Sequence, residues 1–269
     1  MTQEERRQRS YRLTGLVIRR RDQGEADRLI TLLTPTRGKV VLIAKGARKI
    51  TSRKAGHLEL FTHVRVQVAK ARTWDIITQA ETLHAYPRIR ENLRRTGHAY
   101  YVAELLGHFA PEGEADRPLF DLALETFAYL NSSDNLLIVS RWFEAHILRI
   151  TGFQPQLYIC PLCGTPLRVD VTNYWVPEEG GALCPTCGAT KKGSRALPPR
   201  ILKMMRFLQT ATFERARSLP WRSDILLDLE EFMHAYLRHV LEQDIRALTF
   251  IRRLRQELQV SSRRTHQDG

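Results

Sequence analysis

All four cysteines of this 269-residue chain lie in two near-copies of one pentapeptide, Cys160-Pro161-Leu162-Cys163-Gly164 and Cys184-Pro185-Thr186-Cys187-Gly188. A Cys-x-x-Cys pair offers two thiolates to one metal from a single tight turn. The glycine that follows lets the backbone fold close beneath the sulfurs. Two such turns about 20 residues apart supply the four soft ligands of a tetrahedral zinc. The spacing also admits two local disulfides or four free thiols, and sulfur ligands alone leave iron in a rubredoxin-like site open. Four thiolates fill the coordination shell and leave no position for a reactive water. The expectation is therefore one structural Zn2+ on Cys160, Cys163, Cys184 and Cys187, clipping together a short insert that has little core of its own.

Charge sets the second constraint. The formal net charge is +13, and residues 1–80 carry 18 Lys and Arg against 7 Asp and Glu, whereas the remainder carries 24 against 22. The excess is a property of the first third. A concentrated cationic domain attracts polyanions by counterion release, which points to nucleic acid; a solvated basic surface is the plainer alternative. Hydrophobic residues make up 43%, enough for a buried core. No apolar run approaches the ~20 residues that cross a bilayer, and the polar stretch Met1–Ser10 lacks a secretory signal's apolar segment. With every cysteine in metal spacing, the expected compartment is the cytoplasm, with no membrane partner.

The hydrophobic period changes along the chain. Up to residue 84 it is that of strands: Arg12–Arg20, Arg28–Thr34, Gly38–Ala44, His57–Ala71 and Thr73–Leu83, separated by turn signals at Gln23-Gly24, Pro35–Gly38 and Gly46. Five short strands predict a small closed barrel of the OB type, with an SH3-like barrel or a sandwich fragment also compatible. From Pro87 the period is helical, with stripes at Tyr101/Leu105/Phe109, Leu119/Leu122/Leu130, Val139/Phe143/Ile147 behind Asp134 as N-cap, Ile201/Met205/Leu208, Ile225/Leu229/Phe232/Tyr236 and Ile251/Leu254/Leu258. The predicted class is α+β multidomain: a barrel over 1–84, a helical domain over 85–153 and 198–260, a zinc ribbon inserted at 154–197, and a flexible tail at 261–269.

No catalytic constellation stands out. A phosphate-binding Gly-x-x-x-x-Gly-Lys-Ser/Thr loop, His-Glu-x-x-His and Gly-x-Ser-x-Gly are all missing from the sequence. Glu25 and Asp27 form one carboxylate pair, which fits a turn or salt bridge better than a nuclease. The dispersed histidines fit packing or surface positions. The basic segments are more informative. Arg19, Arg20 and Arg21 end the first strand, with Arg19 and Arg21 on one face and Arg20 on the other. Lys45-Gly46-Ala47-Arg48-Lys49, then Arg53-Lys54, makes a glycine-containing cationic loop that can follow a phosphate backbone. Tyr11 and Trp74 could stack on bases but suit a barrel core or rim better. The shortage of aromatics argues for backbone-dominated binding without base reading.

The segments Gly24-Glu25-Ala26-Asp27, Leu32-Leu33-Thr34-Pro35, Gly38-Lys39, Ala44-Lys45-Gly46-Ala47-Arg48 and Ser52 resemble the N-terminal signature of the bacterial RecO family, the recombination mediators of the RecF pathway. The likeness extends over nearly the whole chain as an ordered combination of basic barrel, helices and four-cysteine ribbon. It implies a non-enzymatic, nucleoid-associated DNA repair and recombination protein that binds single- and double-stranded DNA. It further implies annealing of complementary strands coated by single-stranded-DNA-binding protein, capture of that protein's acidic C-terminal tail, and RecA loading together with RecR. Lys39, Lys45 and Arg48 fall in the matching motif and are implied DNA contacts; Arg19, Arg20, Arg21, Lys49, Arg53 and Lys54 are added on charge. Some family members lack the cysteines, which implies a scaffold role for the metal. The residues also leave open an RNA- or ribosome-associated OB factor, or a metal-dependent nuclease built on scattered carboxylates.

Overall fold

A computed structural model of the chain describes residues 9–265. Five strands come first: β1 (Ser10–Gln23), β2 (Asp27–Thr34), β3 (Gly38–Ala44), β4 (His63–Ala69) and β5 (Ile76–His84). Three helices follow, α1 (Pro87–Glu91), α2 (Leu93–Phe109) and α3 (Arg117–Ser132), then α4 (Leu136–Ile150). Next come β6 (Asn173–Val176), β7 (Gly181–Leu183), α5 (Pro185–Thr190) and β8 (Arg195–Leu197). The chain continues as α6 (Pro199–Thr210), α7 (Phe213–Arg217), α8 (Ser223–Leu241) and α9 (Arg246–Thr265). Residues 266–269 of the expected tail lie outside the described residues, and 261–265 continue α9 where a frayed end was expected.

The first five strands close into a barrel in the order β1-β2-β3-β5-β4, with antiparallel neighbours except the parallel β3–β5 contact. This is the OB-type barrel, and closure removes the free edges that five short strands would otherwise expose. Alternation does the sorting: Val64, Val66 and Val68 of β4 are fully buried while Arg65 between them points to solvent. The expected strand at His57 starts only at His63. Ala55–Leu58 form a 3-10 turn, and Phe61 adopts a left-handed φ of 66° that breaks the extended run. A register shift between Val17 and Arg19 bulges β1, so that Arg19 pairs with Thr31, Arg20 with Ile30 and Arg21 with Leu29. Residues directly opposite share a face. Arg20 therefore lies on the side of the core residue Ile30, and Arg19 and Arg21 on the other.

Packing divides the chain elsewhere than at the change from strand to helix. One compact unit comprises the barrel with α1–α3 and, from the far end of the sequence, α9; the other is residues 133–245. Within the first unit, Lys39 N–H donates to the Pro111 carbonyl (2.7 Å), and Phe61 stacks on Phe127 with centroids 5.6 Å apart. Helix α2 is capped by Asn92, whose side chain accepts from Arg95 N–H. Glu104 on α2 accepts from the first amides of α9, Arg246 N (3.0 Å) and Ala247 N (2.8 Å). A carboxylate there meets both the orphan donors and the positive end of the helix dipole.

In the second unit α4 is buried nearly all round. Its N-cap is Asn135, accepting from Ile138 N–H at 3.3 Å, and not the neighbouring Asp134 expected from sequence. Arg141 pairs with Glu144 on the same helix and with Glu230 on α8 (3.3 Å), all three inside the core. On the same helix, Trp142 Nε1 and His146 Nε2 both reach the Ala211 carbonyl, at 2.9 and 3.0 Å. Arg149 Nη2 lies 3.1 Å from His146 Nδ1 and can only donate, so this imidazole is neutral with its proton on Nε2. Burial pushes His146 down from its ordinary value to about 4. The unfolded chain then binds more protons between pH 6.5 and 4, and stability is full above that window and falls as pH drops through it. Urea melts at pH 7.5 and 5 should show a loss on the order of 2 kcal/mol from this site, flattened in His146→Gln, which keeps a donor without titrating. An unchanged acid slope in the variant would remove His146 from the account.

Candidate metal centre and nucleic-acid interface

The two cysteine turns of the second unit converge. The ligand atoms of Cys160, Cys163, Cys184 and Cys187 all lie within 4.8 Å of one another, with Cys163 and Cys184 Sγ 3.6 Å apart. Disulfide sulfurs would stand near 2 Å. Thiolates about 2.3 Å from a common tetrahedral centre stand roughly 3.8 Å apart, close to the 3.6 Å between Cys163 and Cys184. The two turns differ in construction. In the first, Gly164 has φ 73° and its N–H donates to the Cys160 carbonyl at 2.9 Å. In the second, Cys184 caps α5 and Gly188 is helical; its need is close packing, since a Cβ would lie 2.4 Å from the Tyr174 ring. Thr165 Oγ1 sits 3.3 Å from Cys163 Sγ, and that hydrogen bond lowers the Cys163 thiol to about 6, while hydrogen bonds with the Cys163 and Cys184 sulfurs raise Cys187 to about 12.

The three-stranded sheet that carries these turns runs β7-β6-β8. Trp175 anchors it: the indole is buried, donates to the Phe232 carbonyl (3.1 Å) and meets the Phe232 ring edge to face. Arg206 ties the first turn's flanks to α6, donating to the carbonyls of Leu157 (2.6 Å) and Leu167 (2.9 Å). Among the described residues the four cysteines are the only group of three or more His, Cys, Asp or Glu placed to share an ion.

The nine basic candidates of the first unit separate into held and available cations. Lys39 faces α2, where Nζ donates to the Gly107 carbonyl (2.8 Å) and pairs with Glu112 (3.3 Å). Lys54 donates to the Ile77 carbonyl (2.9 Å), and burial lowers its pKa against the opposing charge of Asp27. Arg20 pairs with Glu59 at 2.5 Å. Arg48 reaches the Gly24 carbonyl (2.8 Å) and Asp22 (3.4 Å), while its amide donates to Ala26 (2.9 Å). Lys45, Lys49 and Arg53 in the loop, and Arg19 and Arg21 on the outer strand face, are exposed with no side-chain partner among the described residues.

Sequence reasoning missed how the loop is held. Asp27 accepts from Gly46 N–H at 2.7 Å, which fixes the start of the loop on the β1–β2 turn. Asp27 of the Glu25/Asp27 pair thus has a turn role, and the signal was present in Asp27 and Gly46 lying at the ends of paired strands. Tyr11 is a rim residue: its hydroxyl donates to Asp75 (2.6 Å), the Arg37 guanidinium covers its ring at 4.4 Å, and burial pushes its pKa up to about 12. No helix among the described residues is long and apolar enough to cross a membrane.

Comparison with known proteins agrees with this arrangement. Residues 9–86 match the family model "Recombination protein O N terminal", and residues 90–249 match "Recombination protein O C terminal". The DNA repair protein RecO of Roseiflexus sp. (strain RS-1) is 40% identical over 256 residues, covering 95% of this chain and 90% of the relative. A RecO from Dehalococcoides mccartyi is 34% identical, covering 90% and 94%. A third, from Symbiobacterium thermophilum, is 30% identical over 91% and 98%. An OB-type barrel with a cationic loop, a helical region and a four-cysteine cluster, matched at both ends by the same family, place this chain in the RecO family of DNA repair proteins.

Proposed function

We propose that this protein is a non-enzymatic recombination mediator that binds single- and double-stranded DNA and anneals complementary strands coated by single-stranded-DNA-binding protein. In this reading it also takes that protein's C-terminal tail on its helical part and, with RecR, assists RecA loading at the nucleoid in the cytoplasm. The observation that carries the reading is the loop of exposed cations, Lys45, Lys49 and Arg53, with no side-chain partner among the described residues and fastened to the barrel through Asp27 and Arg48. Fixed positive charge offsets the repulsion between two phosphate backbones and leaves the bases to pair. Lys39, Lys54 and Arg20 support the barrel, and Arg19 and Arg21 extend the contact along its outer face. Cys160, Cys163, Cys184 and Cys187 hold one structural Zn2+.

Annealing of complementary strands pre-coated with their single-strand-binding protein tests the reading. The rate should rise with this protein present and no nucleotide added, and the strands should remain intact in magnesium. An equal rate with matched RNA strands would replace DNA as the substrate. No acceleration, or cleavage, would overturn the mediator reading.

A further inference from the structure

We propose that Ile50, at the tip of the loop between β3 and β4, contacts the bases of a single DNA strand while Lys45, Lys49 and Arg53 hold the neighbouring phosphates. The inference rests on the reading of that loop as a DNA interface. Single apolar residues are common on protein surfaces, but they keep part of their area against neighbours. The other large exposed hydrophobics here retain between 39% and 58% of their free surface; Ile50 retains 105%. Among the described residues nothing in this unit covers it.

The presentation is built. Gly46 N–H is held by Asp27, Arg48 N–H donates to Ala26, Ala47 is buried in the barrel core, and Lys54 Nζ closes on the Ile77 carbonyl. Between these anchors Ser52 N–H donates to the Lys49 carbonyl at 2.9 Å, a tight turn whose second residue is Ile50. The loop is tied at both ends and projects a β-branched side chain, which loses little rotamer freedom on contact. Exposed cations precede and follow it at Lys49 and Arg53.

An apolar tip flanked in sequence by exposed cations suits a partner with flat apolar faces strung between anions. A single DNA strand has that alternation, and isoleucine is among the side chains that wedge between bases. An acidic peptide would satisfy the charge, but Ile50, at 105% exposure, packs on no described neighbour with which it could form a groove for an apolar peptide side chain. Bases held apart on such a tip are open to an incoming strand, which links the contact to annealing.

The test uses the full chain, a single-stranded oligonucleotide carrying one 2-aminopurine, and salt titrations of I50A and I50F. Because Ile50 supports no packing, I50A should melt with the parent. It should bind about fivefold more weakly with an unchanged salt slope, since one apolar contact and no phosphate contact is lost. The rise in 2-aminopurine emission on binding should shrink in I50A and return in I50F. If I50A matches the parent in affinity and emission while the parent keeps a steep salt slope, the Ile50 contact is overturned and the loop interface stands. If the parent itself ignores the strand, the interface reading fails. If I50A weakens only an acidic peptide, the tip belongs to a protein partner and the proposal fails.

Discussion

Cys184→Ser, or stripping of the metal by a chelator, is expected to unfold the 173–197 sheet while the barrel of the other unit stays folded. The sheet has strands of four, three and three residues, too short to stand without a clip. Its largest buried side chain is Trp175, and Val176, Leu183 and Leu197 are its other large buried apolar residues. Structural zinc contributes roughly 10–16 kcal/mol in small zinc-dependent peptides, so no other single change here should cost this segment as much. Elemental analysis should find about one zinc per chain in a colourless sample; absorbance in the visible would indicate iron. Hydrogen exchange should then show loss of protection confined to the ribbon amides and the residues under Trp175. DNA affinity should change little. Full protection in the metal-free protein would refute the clip, and loss of DNA binding by a stably folded variant would refute its purely supporting role.

The second large effect is on DNA binding. Replacing Lys45, Lys49 and Arg53 together by alanine should lower the slope of log affinity against log salt by about 2–3 and weaken binding roughly ten- to a hundredfold at 0.1 M salt. Unrelated sequences should lose alike, because phosphate contacts carry no base information. Lys39→Met is the informative contrast. It should reduce thermal stability through the lost Gly107 and Glu112 contacts and leave the salt slope alone. A triple variant with the parent's slope would move the interface off this loop.

The barrel was readable because its strands alternate strictly and are separated by turn residues. The register Val64-Arg65-Val66 assigns faces without ambiguity. The strand from His57 was overextended because a hydrophobic alternation does not reveal a left-handed Phe61. The metal cluster was legible for a stronger reason: four ligands in two turns leave few other arrangements. Which cations are free was not legible, since Lys39 and Lys45 look alike in sequence. What separates them is a carbonyl at Gly107, 68 positions away, that only the packed helix supplies. Short elements escaped as well: α7 needs just Thr212 to cap it and one buried turn.

Helix α9 lies against α2, where Ile251 and Phe250 approach Gly97, yet residues 133–245 separate the two helices in sequence. During synthesis the ribosome delivers the barrel and α2 well before their covering helix. At ~5–20 residues per second, that surface stays bare for on the order of ten seconds, a window in which chaperone capture or mispairing between nascent chains competes with completion of the unit.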